Sequence, residues 1–330
     1  MDQIVSVLAS VVGGLVISFL IYLGLNFVIA KSGRRASVKL LPIVFLGPVV
    51  LLLVVFLLVP VFITVYQSFL KYDQYGLSTF GGLSNYISLF TSGPFLQTLF
   101  NNLLWIIFVP ALTVIIGLAV ATLADRLGPR REKTFKTILF VPFAISGIAA
   151  ASIWSFVYYY SAPGTPQVGL LNSIWVSTTQ SNPIPWFQDQ FLRTNSFLLM
   201  AVVIWLNAGY AMVLLSAAIK AVPEETIEAA RIDGATERQA FFRVIAPQIR
   251  TTIIAVGITV LITVMKVFDI VFAMTNGQFN TNVLGVEFFN QLFSFQNPGK
   301  ASAVVVILLI AVIPIIAYQI KTYREQEALR

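Results

Sequence analysis

Neither cysteine nor histidine occurs anywhere in the 330 residues. Without cysteine there is no disulfide framework and no thiolate nucleophile or metal ligand. Without histidine the commonest acid–base group and the usual haem and transition-metal ligand are missing. No GxxxxGK[ST] stretch is present, so the chain has no phosphate-cradling loop of that kind, and any nucleotide energy has to come from another polypeptide. Charge is scarce as well: only 11% of the residues are Asp, Glu, Lys or Arg, with 14 acidic against 21 basic. A redox enzyme, a metalloenzyme and a hydrolase built on a nucleophile–base pair are all disfavoured, the last because no such pair is evident.

What fills the chain instead is apolar. Hydrophobic residues make up 58% of it, and a mean hydropathy of +0.86 lies far outside the range of water-soluble domains. This is the composition of an all-α polytopic membrane protein, solvated by lipid. A net charge of +7 would suggest nucleic acid in a soluble chain. Here the basic residues flank apolar runs, which points to membrane topology and not to nucleic acid.

A helix needs about 20 apolar residues to cross a bilayer, and seven runs meet that length: 4–30, 40–70, 98–124, 138–160, 197–219, 251–273 and 301–320. The first follows Met1-Asp2-Gln3, without a basic start, and is too long for a cleaved signal core, so it reads as a retained helix. Basic residues cluster at Lys31, Arg34, Arg35 and Lys39, at Arg126 to Lys136, in the loop 222–247 and in the tail 321–330. Segments 71–97, 161–196 and 274–300 are nearly free of them. The positive-inside rule therefore predicts the N-terminus outside and the C-terminus in the cytoplasm.

The loop 222–247 reads VPEETIEAARIDGATERQAFFRVIAP and is the densest charged stretch between apolar runs. Pro223 suits a first helical position, Glu224 and Glu225 complement the positive end of a helix, and Asp233-Gly234 is a stop. Thr236 followed by Gln239 predicts a capping box that opens a second short helix, with Pro247 at its end.

Glu228-Ala229-Ala230, Gly234 three residues further on, Val244 and Pro247 together resemble the signature loop of the inner-membrane permeases of binding-protein-dependent ABC importers. Val244 and Ala246 depart from that pattern, in which Ile and Leu are usual. Asn85-Tyr86 with Leu89-Phe90, and Phe268-Asp269 before Thr275-Asn276-Gly277, resemble the carbohydrate-uptake branch of the maltose type. The stretch from Lys266 to the tail is most similar to permeases for α-glucosides and glucosylated osmolytes.

The resemblance implies a type I importer core of six helices plus one added N-terminal helix. The domains would then be 1–39 as that helix with its basic loop, 40–320 as the permease core, and 321–330 as the tail. It implies that Glu228, Ala229, Ala230, Gly234 and Pro247 form the coupling element that meets an ATPase. The partners implied are two ATPase subunits carrying ATP and Mg, a second and different permease chain, and an extracytoplasmic solute-binding protein. No cofactor or metal is expected on the chain itself.

Polar side chains inside spans are costly in lipid unless they face protein or a water path. Asn207 and Tyr210 share a face of the fifth run, with Trp205 nearby and Gly209 allowing close approach. They can hydrogen-bond and stack on a sugar, and equally can join helices. By resemblance, Tyr210 stands where maltose-type permeases carry a sugar-contacting Tyr, whereas Val203, Val264 and Val267 replace amides. Lys266 and Asp269, three apart, predict an ion pair on one helix face. Trp154 and Tyr158 to Tyr160 read as an outer interfacial belt or as the lining of a cavity mouth. Two other transport readings stay open: an ABC permease for a solute such as glycerol phosphate, and a secondary transporter.

Overall fold

A computed structural model describes residues 34–73 and 75–328, together with 13, 14, 16, 19–24, 26 and 27. The expected first span, 4–30, lies for the most part outside the described residues. The chain divides into two units, Met1–Gln67 and Ser68–Arg330.

In the first unit, α1 (Arg34–Leu53) continues through a π-helical turn, Val54–Leu58, into α2 (Val59–Gln67). Pro60 explains the turn. It has no N–H to offer the Phe56 carbonyl, and widening the helix there relieves the clash. Phe45–Gln67 is long and apolar enough to cross a membrane.

The second unit begins with a departure from an all-helical expectation. β1 (Leu70–Tyr72) pairs antiparallel with β2 (Ser78–Phe80), in the register Leu70↔Phe80 and Tyr72↔Ser78. Asp73 Oδ1 accepts the N–H groups of Tyr75 and Leu77 at 2.9 and 2.8 Å and so forms the turn. The predicted second span, 40–70, therefore stops as a helix at Gln67. α3 (Ser84–Phe90) follows, and its buried Asn85 donates to the carbonyls of Ser68 and Leu70 at 2.9 and 2.8 Å. Tyr86 donates to Ser68 Oγ at 2.7 Å. The Asn-Tyr pair seen in the sequence thus holds the hairpin on the bundle.

α4 (Gly93–Ala124) and α8 (Thr194–Lys220) run side by side at the centre of the unit. They pack through small residues, Gly117 and Ala121 against Ala211, which let the backbones approach. Between them in sequence lie α5 (Pro129–Phe140), a 3-10 turn (Val141–Ala144), α6 (Gly147–Val157) and α7 (Leu170–Thr179). α9 (Glu224–Ile232), α10 (Glu237–Ala240), a π turn (Phe241–Ile245) and α11 (Ala246–Gln248) lead into α12 (Arg250–Met265). α13 (Asp269–Met274), α14 (Leu284–Phe289) and α15 (Pro298–Ala328) complete the unit. The main core joins Trp105 and Val109 of α4, Ala150 and Ala151 of α6, Leu199 to Ile204 of α8, Val260 and Val264 of α12, and Val271 of α13.

The predicted span 138–160 is bent, because Pro129–Ala144 and Gly147–Val157 meet at 104°. Glu237–Gln248 meets Arg250–Met265 at 70°, a bend at Ile249 that falls ahead of the predicted span 251–273. Ile145 and Ser146 adopt extended geometry at the first bend, and the Ser146 hydroxyl caps α6 by accepting from Ala149 N–H. Among the described residues, four helices are long and apolar enough to cross a membrane, or six if each bent pair makes one crossing. Of the seven predicted spans, 4–30 lies for the most part outside the described residues, and the other six compare with these four to six.

Candidate functional site

The charged loop folds as two short helices joined by a tight turn. Pro223 stands just before α9 as its N-cap residue, one position earlier than expected, and Glu224 and Glu225 fill the first turn. At the far end Gly234 has φ +85°. Ala235 N–H reaches the Ala230 carbonyl at 3.0 Å and Gly234 N–H that of Arg231 at 3.0 Å. This is a Schellman ending, which requires a left-handed residue where Gly234 stands.

The predicted capping box is present. Gln239 N–H donates to Thr236 Oγ1 at 3.3 Å while Thr236 N–H donates to Gln239 Oε1 at 2.8 Å. Arg231 then clasps Glu237 through two bonds, at 2.8 and 3.2 Å, and joins the helices. The guanidinium holds the Glu237 carboxyl below its ordinary value.

Pro247 stands one residue before the end of the second helical stretch, which stops at Gln248. It sits within α11, two residues after the π turn, just as Pro60 follows the other π turn. In both places the carbonyl that loses its partner lies inside the widened turn. The chain then passes through buried Ile249 into α12. Glu228 and Ala229 face solvent and Ala230 is half-buried. Beside them Ile232 is 86% and Phe242 63% exposed. Apolar side chains left bare on a charged loop mark a contact surface.

At the same end of the bundle a charged cluster fastens α5 to its neighbours. Lys136 meets Asp125 at 3.0 Å and Glu132 at 2.5 Å, and donates to the Ser216 hydroxyl. Lys220 reaches Glu132 at 2.5 Å, and Ser216 donates to Asp125 Oδ1 at 2.8 Å. Lys136 was legible only as one of a basic group. Its partners come from α4 and α8 as well as from its own helix, so no sequence spacing announces them.

The middle of α8 carries the residues singled out for a substrate path. Asn207 donates to the Val203 carbonyl of its own helix at 2.8 Å. Tyr210 stacks on Phe143 of the 3-10 turn, with ring centroids 5.0 Å apart and 14° between planes. Trp205 lies elsewhere, since two residues advance a helix by about 200°. It packs edge-on against Trp154 at 5.7 Å, and with Gly209 it lines an apolar cavity of about 380 Å³ that Asn207 and Tyr210 do not share. The close approach expected at Gly209 is there: a methyl group on it would sit 2.1 Å from the Leu139 carbonyl oxygen.

Lys266 and Asp269 do not share a helix face. α12 stops at Met265, Lys266 caps it, and Asp269 opens α13. No ion pair joins them, because the break between the two helices removes the three-residue register. Asp269 instead lies against Gly147 at the start of α6, where a helix N-terminus favours a carboxylate.

The opposite end of α8 holds a polar network that sequence reasoning missed. Asn101 is fully buried and donates to the carbonyls of Asn280 and Asn282 at 2.7 and 2.8 Å. It accepts from Arg193, whose guanidinium also covers the Phe100 ring at 4.8 Å. The only signal available was a pair of asparagines, Asn101-Asn102, inside an apolar run.

This fold and this loop define a membrane transport component, and the chain belongs to the family of inner membrane components of binding-protein-dependent transport systems, whose pattern matches residues 78–327. It is similar to the osmoprotective compounds uptake permease protein GgtC of Synechocystis sp., with 43% identity over 268 residues that span 81% of this chain and 93% of that one. It is also similar to the alpha-glucoside transport system permease protein AglF of Rhizobium meliloti, 46% identical over 247 residues, 74% of this chain and 72% of the relative. Among solved structures, a bacterial ABC transporter involved in import of the acidic polysaccharide alginate superposes with a TM-score of 0.71 over 88% of this chain and 98% of that one. At 18% identity that likeness speaks for the fold alone, the fold of a type I ABC importer permease.

Proposed function

We propose that the chain is the permease subunit through which an ATP-driven importer carries a sugar, an α-glucoside or oligosaccharide, across the inner membrane by alternating access. The observation that carries the coupling half of this reading is the clasped helix pair α9–α10, which presents Glu228, Ile232 and Phe242 to solvent. Its Schellman turn, capping box and Arg231–Glu237 clasp make it a rigid plug suited to a cleft on an ATPase. The sugar half rests on the two relatives named for osmoprotective compounds and for alpha-glucosides. A phosphate-bearing solute fits less well, because Lys266 is exposed and lines neither cavity.

In this reading a second, different permease completes the pore and two ATPases holding ATP and Mg dock below, one of them at 222–247. A solute-binding protein then meets 71–97, 161–196 and 274–300. The N-terminus lies outside, and 4–30 adds a crossing to a core of six. Tyr210, backed by Phe143, and Asn207 face the solute path from α8, while Trp205 supports α8 against α6.

Glu228→Ala tests the coupling half. In the reconstituted complex, transport and substrate-stimulated ATP hydrolysis should fall together by about tenfold, the scale of one lost charge-assisted contact. Unchanged values would remove Glu228 from the contact. Uptake into ATP-free vesicles by the chain alone would replace the importer reading with a secondary transporter.

A further inference from the structure

At the end of α8 remote from the coupling loop, about 40 Å away along its 27 residues, a second cavity of about 260 Å³ opens. Its character differs from that of the apolar cavity at Gly209. Tyr158, Tyr159 and Tyr160 form one wall, Trp186 and Phe187 a second, and Phe279 a third, with Ser155 and Gln188 as polar lining. No charged side chain lines it. The three walls come from the end of α6, the loop before α8 and the loop after α13.

Two buried asparagines fix these walls. Asn172, fully buried, donates to the carbonyls of Tyr159 and Ile184 at 3.2 and 3.0 Å and accepts from Ile184 N–H at 2.9 Å. Asn195, also buried, donates to the carbonyls of Phe187 and Phe279 at 3.2 and 2.8 Å. Each asparagine therefore ties one wall to the next through backbone groups, leaving the aromatic rings to face the cavity. Phe279 is held at φ +55° and Asn280 at φ +61°. That left-handed geometry is unfavourable for residues with a side chain, and such strain persists where the surroundings enforce it, often at binding sites. An interfacial belt asks only that Tyr and Trp stand at the lipid boundary. It does not ask for three segments locked around a hollow.

We propose that this cavity is an outer saccharide subsite that takes one neutral pyranose ring of the solute before it enters the translocation path. A pyranose has an apolar face of C–H groups that stacks on aromatic rings and a rim of hydroxyls that hydrogen-bond. Tyr159 and Tyr160 are partly exposed and offer both a ring and a phenol, and Ser155 and Gln188 add donors and acceptors. The cavity lies just below the range of about 300–1,000 Å³ usual for drug-sized ligands, which suits one ring and not a whole oligosaccharide. The absence of charged lining residues selects neutral sugars over phosphorylated or acidic ones. The proposal rests on the sugar-transport reading above.

The test uses the complete transporter in nanodiscs without its binding protein, with maltose and methyl α-D-glucopyranoside as probes, read by saturation-transfer NMR. Wild type should transfer saturation to the pyranose C–H protons. Tyr159→Ala and Tyr160→Ala should each weaken that contact by about fivefold, the loss expected of a contributing aromatic, and Tyr160→Phe should retain most of it. Tyr66→Ala, an exposed aromatic of α2, should change nothing. Equal binding by wild type and both alanine variants would overturn the subsite. So would binding abolished by Tyr210→Ala alone, which would place the sugar on the middle of α8 and leave sugar transport standing. If the wild-type complex supplied with binding protein takes up no saccharide at all, the sugar reading fails and the subsite with it.

Discussion

Replacing Gly209 by alanine should drive α8 off the end of α5. The added methyl would lie 2.1 Å from the Leu139 carbonyl oxygen and 2.8 Å from both Leu139 C and Phe140 Cα. Carbon–oxygen contacts relax to about 3.3–3.6 Å, so the helices have to separate by more than about 1 Å. The obstacle is backbone, which cannot rotate away as a side chain would. Overpacking of this kind costs about 1–3 kcal/mol. Gly257 in α12 provides the opposite sign from the same substitution. A methyl there meets only Val114 Cγ2, at 3.8 Å, an ordinary contact, and alanine in a helix interior is better than glycine by about 0.5–1 kcal/mol. The helix-propensity gain is common to both variants, so they should differ by the overpacking cost, about 1–3 kcal/mol, with the Gly257 variant the more stable. Unfolding the purified protein by SDS titration in mixed micelles, followed by helicity, measures this directly. If Gly209→Ala unfolds no earlier than Gly257→Ala, the close approach of α8 to Leu139 is wrong.

Thr236→Ala removes the capping box and should loosen α10 by about 1 kcal/mol, seen as faster amide exchange at 237–240 with the rest of the chain unchanged. Asn101→Leu conserves bulk but leaves the Asn280 and Asn282 carbonyls without their donor, so stability in the same SDS titration should fall by about 1–3 kcal/mol. Loss of no stability would mean those carbonyls find other partners. For Glu237 the folded pKa lies below the ordinary value of 4.5. The clasp with Arg231 is thus complete above that value and opens as pH falls through the lower folded one. A carboxyl titration of Glu237 by NMR with its midpoint at or above the ordinary value would contradict the clasp.

Features set by a few neighbouring residues were readable in the sequence. Thr236 and Gln239 are three apart, and a capping box needs nothing else. Asp233-Gly234 ends α9 because the left-handed residue it calls for is local. Long apolar runs such as 98–124 and 197–219 announced α4 and α8 by length. Breaks were not readable, because hydropathy records what a segment dissolves in and not where its backbone turns. The run 138–160 stays apolar straight through the 104° bend after Ala144. Lys266 and Asp269 were paired by assuming an unbroken helix, and the break falls between them. The hairpin at Leu70–Phe80 was hidden at the tail of an apolar run, although Asp73 and Gly76 carried a turn signal. Asn101, Arg193 and Asn280 meet across 92 and 179 residues, and no local pattern reports such a meeting. Tyr210 and Trp205 were grouped by proximity in sequence, which a helix separates by rotation.

The continuity of α11 with α12 has a mechanical meaning. Glu237–Gln248 and Arg250–Met265 are two stiff arms fixed at 70°, and buried Ile249 is the pivot between them. Their lengths are about 18 and 24 Å at 1.5 Å per residue. The pair is a bell crank. A sideways push of 1 Å on the outer tip of the short arm swings the far end of the long arm by about 1.3 Å, the ratio of those lengths, and turns the direction of travel through the angle of the bend. Lys266 and the short α13 follow that far end, and Val271 of α13 sits in the main core, so a displacement of the short arm is passed toward the core.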